Sequence, residues 1–345
     1  MLMVIMAASK PGDKNFWLRL PHPIMAMAPM ANVTDEAFRR MFAECGKPDV
    51  FWTEFVSVEG LLSRGREKLL TDLWFSPDEH PIVAQIFGGK PEQFEEVAPL
   101  IKELGFDGID INMGCPDRGV EKSGAGAALI KDLTRARAVI RALKRGAGGL
   151  PISVKTRLGY RNAAEMDEWI PALLEEDLAA LIVHLRTRAE MSDVDAHWDL
   201  APKIVAFRDR IAPKTVILGN GDIRSLPDGR AKAAETGMDG VMVGSGVFGN
   251  PWFFSDRTPG VRERLERLVV HTELFEKLYR SDNPKTIGQG GRLKNFDVMK
   301  KHYKSYTTGF DTAKELRIRL MEAENASEVR QIVLDFLDKS QNMQV

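Results

Sequence analysis

Short apolar runs recur along the chain, and a stretch with helical spacing follows each of them. Eight of these runs are predicted to be β-strands: Ile24–Ala28, Val50–Phe55, Ile82–Phe87, Gly108–Asn112, Ile152–Thr156, Leu181–His184, Thr215–Gly219 and Gly240–Val243. Between them, segments such as Pro91–Leu104 place apolar residues every three or four positions, as amphipathic helices do. Near-continuous apolar strands that alternate with helices predict a parallel sheet covered on both faces.

The number and spacing of these units favour one architecture. Eight strand–helix units over about 250 residues fit a closed (β/α)8 TIM barrel. An open, doubly wound sheet is the alternative, but the Gly-x-Gly-x-x-Gly turn that it would carry after an early strand does not occur there. After residue 252 the strand-like runs stop, and helical spacing continues over Arg262–Arg280 and Val329–Leu337. We therefore predict an N-terminal extension that packs on the barrel (residues 1–23), a TIM-barrel domain (24–257) and a small all-α helical domain (258–345).

Polar or turn-forming residues follow nearly every predicted strand. They are Pro29, Met30, Gln85, Asn112, Lys155, Arg157, His184, Arg186, Asn220, Gly221, Asp222, Gly244 and Ser245. The C-terminal ends of the strands carry the chemistry in barrels of this kind, and a polar side chain in a barrel strand is costly unless it is paired. The pattern therefore indicates a ligand at the C-terminal ends of the strands.

The glycines after the last two strands narrow the class of ligand. Backbone N–H groups of glycine-rich turns approach a phosphate closely, and the loops after strands seven and eight are the common phosphate site of such barrels. Flavin mononucleotide (FMN) fits, with its phosphate at these turns and Lys155 near the N1–C2 edge of its ring. Taken singly, the same residues have simpler roles as caps or turn formers, and Lys155 could instead pair with Glu54 or Asp110.

Cys115 stands in the segment Asn112-Met113-Gly114-Cys115-Pro116, just past the fourth predicted strand. A thiol in this place can be a nucleophile, a metal ligand or a proton donor. Metal binding is disfavoured because no second cysteine or His-x-x-His pair lies nearby in the sequence. The other cysteine, Cys45, precedes Gly46 at the end of a predicted helix, where a packing role is expected. With no pattern of paired cysteines, we expect a reducing, cytoplasmic environment.

The charges of the chain nearly balance overall, but one segment is basic. The formal net charge is −1 at pH 7, so no overall field attracts nucleic acid. Residues 285–319, however, hold nine lysines and arginines, Lys285, Arg292 and Lys294 among them, against three acidic residues. On its own this excess is typical of a solvated helix face. The apolar start of the chain lacks a basic leader and is too short to cross a bilayer, so no membrane contact is expected.

Several of these segments together resemble the tRNA-dihydrouridine synthase family. They are Ala28–Met30 with Thr34-Asp35, Asp110–Pro116, Val154–Gly159, Val183–Thr187, Gly219–Ile223 and Gly249–Trp252, and a weaker likeness continues through 299–306. The resemblance implies a flavoenzyme that reduces the C5–C6 bond of particular uridines in tRNA. It implies that FMN delivers the hydride, that NADPH reduces the flavin again, and that the helical domain grips the tRNA. A monomer is expected, and no metal.

The resemblance also implies roles for individual residues. Cys115 would protonate C5 as the catalytic acid. The residues that would bind the cofactor are Pro29, Met30, Gln85, Lys155, His184, Asn220, Gly221, Asp222, Gly244 and Ser245. The residues that would bind the substrate are Asn112, Arg157, Arg186, Lys300, Lys301, Lys304 and Tyr303, the last of these by stacking on exposed bases.

The chain departs from the family pattern in three places, and two other functions stay open. Ser245 stands where the family commonly has arginine, Leu185 where it often has glycine, and Asp117–Lys122 where it has a lysine-rich stretch. One alternative is a flavin barrel of the dihydroorotate or dihydropyrimidine dehydrogenase type, which acts on a small molecule and needs no basic helical domain. The other is an RNA-binding relative without catalytic activity.

Overall fold

The computed structural model describes residues 15–280 and 293–342. The strands in this part of the chain are β1 (Ile24–Met27), β2 (Phe51–Trp52), β3 (Val56–Ser57), β4 (Ile82–Phe87), β5 (Gly108–Met113), β6 (Ile152–Arg157), β7 (Ala180–His184), β8 (Val216–Asn220) and β9 (Gly240–Val243). All eight predicted strands are present. The two-residue β3 was not predicted, because it is too short for any pattern of apolar positions.

Helices separate the strands and make up the C-terminal part of the described chain. They are α1 (Glu36–Cys45), α2 (Val58–Leu61), α3 (Arg66–Leu70), α4 (Pro91–Glu103), α5 (Arg118–Lys122), α6 (Leu133–Gly146), α7 (Met166–Leu174), α8 (Ala201–Ile211), α9 (Leu226–Thr236), α10 (Val261–Tyr279), α11 (Lys300–Tyr306), α12 (Ala313–Glu322) and α13 (Ala326–Asn342). The predicted helix Pro91–Leu104 corresponds to α4. The predicted helix Arg262–Arg280 corresponds to α10 within one residue at each end.

The strands form one sheet, in the order β1-β9-β8-β7-β6-β5-β4-β2, with β3 beside β4. The pairs β2–β4, β5–β6 and β6–β7 are parallel, and their register places Asn112 beside Lys155 and Arg157 beside His184. A parallel bridge between Ala26 and Val50 joins β1 to β2. The fold is therefore the predicted TIM barrel followed by helices.

The described residues form two compact units. The first takes in residues 15–24, 87–219 and 233–240, and the second takes in residues 25–86, 220–232, 241–280 and 293–342. In the first unit α4 packs against α6 through buried residues such as Phe94 and Leu143. In the second unit α10 packs on α1 and α13 around an apolar core that includes Leu268 and Val333.

Two predicted features concern the ends of the domains. Of the predicted extension, residues 1–14 lie outside the described residues, and in the remainder Trp17 is fully buried. The division into segments 1–23, 24–257 and 258–345 stays a prediction. Within the described residues, no helix is long and apolar enough to cross a membrane.

Candidate active site

Asn112 shapes the loop that carries Cys115, in the first unit. Its Oδ1 accepts hydrogen bonds from the N–H groups of Gly114 (3.1 Å) and Cys115 (2.9 Å), so β5 ends in a tight turn at the cysteine. The Cys115 carbonyl in turn accepts from the Ala127 N–H at 3.0 Å. A Cβ at Gly126 would be 2.7 Å from that carbonyl oxygen, so only glycine allows this approach. The backbone of Cys115 is therefore held from both sides.

The environment of Cys115 keeps its thiol protonated. Burial raises the pKa of this half-buried side chain above its usual value. The carboxylate of Asp117 raises the pKa further, whereas the nearby charges of Lys155 and Arg157 lower it without reversing the shift. A thiol that stays protonated at neutral pH holds the proton that a general acid must supply, and it is a poor nucleophile and metal ligand. Of the three roles that the sequence left open, the electrostatics favour the proton donor.

Lys155 lies on β6, next to Asn112 in the sheet register. Burial, together with the positive charge of Arg157, lowers the pKa of its ammonium to about 8. Its ammonium makes no ion pair with any residue that the structure describes. Of its two suggested partners, Glu54 pairs with Lys294, whereas Asp110 accepts a hydrogen bond from Ser153 (2.6 Å) and acts on Lys155 through its charge, which partly opposes the lowering of the pKa. The lysine is therefore available to an anionic or electron-rich ligand.

His184 ends β7 as a neutral imidazole. Burial and the charges of Lys155, Arg157 and Arg186 lower its pKa to about 2. Its Nε2 lies 3.1 Å from Nη1 of Arg186. Because a guanidinium can only donate, Nε2 must accept, and the ring proton is assigned to Nδ1. His184 therefore presents one N–H donor of fixed identity.

Arg157 and Arg186 are largely engaged by backbone carbonyls. Arg157 donates from Nε to Gly114 O (2.9 Å) and from Nη1 to Thr187 O (3.0 Å) and Met191 O (2.8 Å). Arg186 donates from Nε to Val194 O at 2.6 Å. These contacts connect the cysteine loop to the loop after β7, so both arginines support the site's backbone. That they also touch substrate stays a prediction.

The ends of β1 and β4, which lie in the second unit, hold three of the predicted site residues. After β1, the Thr34 hydroxyl accepts from the Met30 N–H at 2.9 Å, and the Met30 carbonyl accepts from the Thr34 N–H at 3.0 Å. This turn leaves Pro29 and Met30 partly exposed. Gln85 on β4 is fully buried, and its N–H donates to the Thr53 hydroxyl at 3.1 Å.

The glycine turns after β8 and β9 lie against each other, also in the second unit. Asn220 donates from Nδ2 to Met242 O at 2.8 Å, and the backbone then turns through Gly221 and Asp222, which have φ angles of +130° and +54°. A Cβ at Gly246 would lie only 2.4 Å from Ile223 O, so glycine is required where the turns meet. A Cβ at Gly244 would be 3.9 Å from the Met30 sulfur, which brings this turn close to the end of β1. The exposed Ser245 opens a 3₁₀ turn, Ser245–Val247, whose first N–H groups have no partner within the turn.

The residues predicted to contact RNA divide into two faces of α11. Lys301 and Lys304 are exposed, and Lys300 is partly exposed and pairs with Asp297 at 2.6 Å. The prediction for Tyr303 is wrong: its ring is fully buried in the helical core and cannot stack on a base. Met299, Tyr303 and Tyr306 follow one another at helical spacing and face the core, so the lysines between them face solvent.

One further member of the basic segment, Lys294, does not share this exposure. Lys294 is nearly buried and pairs with Glu54 and, at 2.8 Å, with Asp72. Lys285 and Arg292 lie outside the described residues.

Sequence reasoning missed a buried ionic layer behind the β1 and β2 ends. Arg39, fully buried on α1, donates to Glu79, to Thr34 O (2.6 Å) and to Trp74 O. The signal for it was a charged residue at a core position of an amphipathic helix. A second group joins Lys294 to Glu54 and Asp72, and no local pattern could have indicated it, because Lys294 and Glu54 are 240 positions apart.

Comparison with known proteins identifies what the chain is similar to. Residues 26–342 match the family described as dihydrouridine synthase (Dus). A probable tRNA-dihydrouridine synthase of Staphylococcus aureus (strain Mu50 / ATCC 700699) is 43% identical over 326 residues, which cover 94% of this chain and 96% of that protein. A probable tRNA-dihydrouridine synthase 2 of Bacillus subtilis (strain 168) is 42% identical, over 94% of this chain and 97% of that protein.

Solved structures give a more distant match. A variant of NCR from Zymomonas mobilis aligns with a TM-score of 0.47 and 18% identity, over 66% of this chain and 83% of that chain. The old yellow enzyme homologue NCR itself aligns with a TM-score of 0.45 and 16% identity.

Proposed function

Since the chain belongs to the dihydrouridine synthase family, we propose that it reduces the C5–C6 bond of uridine in tRNA, with FMN as cofactor and NADPH as reductant. Membership makes it an oxidoreductase and confirms the family that the sequence motifs indicated. The observation that carries the finer proposal is the protonated thiol of Cys115, held in a fixed turn at the end of β5.

The residues at the strand ends fit a flavin nucleotide. Lys155 supplies a cation that forms no ion pair within the described part of the chain, and His184 supplies a fixed N–H donor. Pro29, Met30 and Gln85 would line the flavin ring. The phosphate would lie on the adjoining turns Asn220–Asp222 and Gly244–Ser245, where glycine permits close backbone approach. Because Ser245 replaces the arginine common in the family, backbone N–H groups and a hydroxyl would hold the phosphate here.

Bound reduced FMN would supply a hydride, and the protein's own side chains would do the rest. The Cys115 thiol would give its proton to C5, and the resulting thiolate would be stabilised by the nearby charges of Lys155 and Arg157. Asn112 would hold the thiol in place through its bonds to the loop backbone. Nδ1 of His184 would donate to a carbonyl or ring nitrogen of the bound molecules.

The exposed face of α11 supports an RNA substrate. Lys301 and Lys304 lie on that face, and backbone phosphates are bound by such cations with little sequence preference. A uridine must leave its stack to reach strand ends of a barrel, which explains why a separate gripping surface is useful. We place the reaction in the cytoplasm, because two unpaired cysteines suit a reducing compartment.

Replacing Cys115 tests the proposal. Cys115→Ala should lower dihydrouridine formation by about 100- to 10,000-fold, because a positioned general acid contributes about that much. Flavin uptake and tRNA binding should stay at wild-type levels, because alanine leaves the Asn112 turn in place. The assay measures dihydrouridine in unmodified tRNA incubated with FMN and NADPH.

Cys45→Ala is the matched control and should keep full activity. Wild-type turnover in Cys115→Ala would contradict the acid role of the thiol. A purified protein that takes up no flavin would point instead to an RNA-binding relative. Equal turnover on free uridine and on tRNA would favour a small-molecule dehydrogenase.

A further inference from the structure

An ion pair joins the loop that carries Cys115 to the loop that follows β7. Arg188 places Nη2 2.5 Å from Oε2 of Glu121, and Nε 3.1 Å and 3.2 Å from its two oxygens. The same Nη2 lies 3.3 Å from the carbonyl oxygen of Pro116, the residue after the cysteine. One guanidinium therefore contacts the cysteine loop at two points.

Arg188 is itself held in place by backbone hydrogen bonds around it and by an aromatic ring. Its N–H donates to Gly159 O at 2.9 Å, and the next N–H, of Ala189, donates to Tyr160 O at 2.9 Å. The guanidinium lies 5.6 Å from the centre of the Tyr160 ring, within the range of a cation–π contact. Backbone pairing and ring contact together fix the position from which Arg188 acts.

Glu121, by contrast, lies on α5, a short helix that is not stable without tertiary contacts. Helix α5 has five residues and a cap from Asp117, whose Oδ1 accepts from the N–H groups of Gly119 (2.8 Å) and Val120 (3.1 Å). Val120 is its one buried residue, and helices this short are not stable by themselves. The orientation of α5, and of the Pro116 side of the cysteine loop, therefore depends on tertiary contacts such as the Arg188 pair, in addition to the bonds that Asn112 and Ala127 make to the loop.

The Arg188–Glu121 pair is partly shielded from solvent, so it can stabilise the position of α5. The side chains are 12% exposed at Glu121 and 23% exposed at Arg188, so solvent screens them less than an ordinary surface pair. Hydrogen bonds from Arg188 and Tyr160 outweigh burial and hold the pKa of Glu121 below its usual value, so the carboxylate is charged at neutral pH. Three hydrogen bonds from two nitrogens of Arg188 join the pair, which fixes the direction of the contact as well as its distance.

We propose that the Arg188–Glu121 pair is a clamp that sets the position of the Cys115 thiol. Both are positioning residues, since neither touches the thiol. The contacts of the clamp do not depend on the proposed function, but its role does: directing the thiol toward a substrate rests on Cys115 being the proton donor.

Alkylation of the thiol tests the clamp without requiring turnover. Full-length protein is treated with iodoacetamide, and labelling at Cys115 and Cys45 is followed separately by mass spectrometry. In Arg188→Ala the released loop should expose the thiol and lower its pKa. Labelling of Cys115 should then be about three- to tenfold faster than in wild type, because the thiolate is the reacting form. Labelling of Cys45 should not change.

Two further variants complete the test. The exchange of Glu121→Arg with Arg188→Glu should return the Cys115 rate part of the way to that of wild type, because it restores the pair with reversed polarity but loses the hydrogen bond to Pro116 O. Arg145→Ala is the matched control. It removes an Arg–Glu pair with bonds of 2.7 and 3.0 Å to Glu95, on helices α6 and α4, and should leave the Cys115 rate unchanged.

The same variants separate the clamp from the proposed function. With tRNA as substrate, Arg188→Ala should lower kcat by about ten- to hundredfold and change KM little, because a misplaced acid slows the chemical step. A Cys115 labelling rate equal to wild type in Arg188→Ala would overturn the clamp, as would equal acceleration at Cys45 or in Arg145→Ala. If labelling responds as expected while the wild-type protein fails to reduce uridine, the clamp holds and the proposed function is wrong.

Discussion

Glu54 belongs to a buried cluster in which the ammonium of Lys294 lies beside several carboxyl groups. Lys294 contacts Glu54 and lies 2.8 Å from Asp72. Lys294 and Asp72 also influence the buried carboxyl of Asp35, whose charge in turn acts on Glu54. Burial raises the pKa of Glu54 to about 7 from an ordinary value of 4.5. Lys294 opposes this shift, whereas the charges of Asp72 and Asp35 add to it. The folded protein therefore binds a proton at Glu54 that the unfolded chain releases.

The proton bound at Glu54 stabilises the folded protein at low pH, and this stabilisation falls as the pH rises. Stability from the bound proton is fully present below pH 4.5 and is lost as the pH rises through about 7. A pKa difference of about 2.5 between the two states corresponds to about 3 kcal/mol in full. Between about pH 5 and about pH 8, roughly 2 to 3 kcal/mol of this is lost.

Glu54→Gln removes this titration. Glutamine keeps the size of the side chain and binds no proton; its single oxygen can accept from the Asn32 N–H or from Lys294 but not from both, which adds a loss of stability that does not change with pH. We therefore expect the free energy of unfolding of the wild type to fall by about 2 to 3 kcal/mol, relative to the variant, from about pH 5 to about pH 8. Urea unfolding followed by tryptophan fluorescence measures this at each pH. Subtraction cancels the buried histidines His271 and His302, which both proteins share.

Glu95→Gln is the control for this experiment. Glu95 is exposed, and its hydrogen bond with Arg145 holds its pKa below the usual value, so it does not titrate in this range. The wild type and this variant should therefore differ by a constant amount across the series. A constant difference for Glu54→Gln as well would refute the reasoning, because it would show that Glu54 binds no extra proton in the folded protein.

Two more predictions concern buried and exposed charges. Glu79→Gln leaves the fully buried Arg39 opposite a neutral amide, and should cost about 3 to 5 kcal/mol in urea unfolding. Changing both partners to methionine should recover much of this, and a loss under about 1 kcal/mol in Glu79→Gln would show that the pair is not buried as described. Reversing charge with Lys301→Glu and Lys304→Glu should weaken tRNA binding and reduce the slope of affinity against salt by about two, whereas Lys214→Glu, exposed in the other unit, should leave the slope unchanged. An unaltered slope in the double variant would argue against the α11 face.

The barrel could be predicted because its strands leave a local signal. A strand buried on both faces is apolar along its whole length, so β4–β7 stand out in the sequence. The run Val50–Phe55 shows the limit of this signal. Only Phe51–Trp52 forms β2, although the Thr53 N–H still donates to Val83 O at 3.1 Å; beyond it the Glu54 side chain pairs with Lys294. The polar strand ends were equally visible, because a charge or amide beside an apolar run is rare without a purpose.

The direction in which α11 faces could not be predicted in the same way. Seven residues make two turns, and a lysine-rich segment of that length reads as solvent-exposed throughout. Packing against α10 and α12 turns Tyr303 and Tyr306 into the core and leaves Lys301 and Lys304 outside. The sequence identified a basic segment, and the tertiary structure decided which of its residues can meet RNA.

The sequence by itself determined the order of strands and helices, the turn that carries Cys115 and the family to which these motifs belong. Each of these depends on residues that are close together in the chain. Only the tertiary structure decided which charges meet, because Arg188 lies 67 positions after Glu121 and Lys294 lies 240 positions after Glu54. The tertiary structure also decided which side chains carry protons, because the pKa values of Cys115, Lys155 and Glu54 depend on burial and on charges brought near by folding.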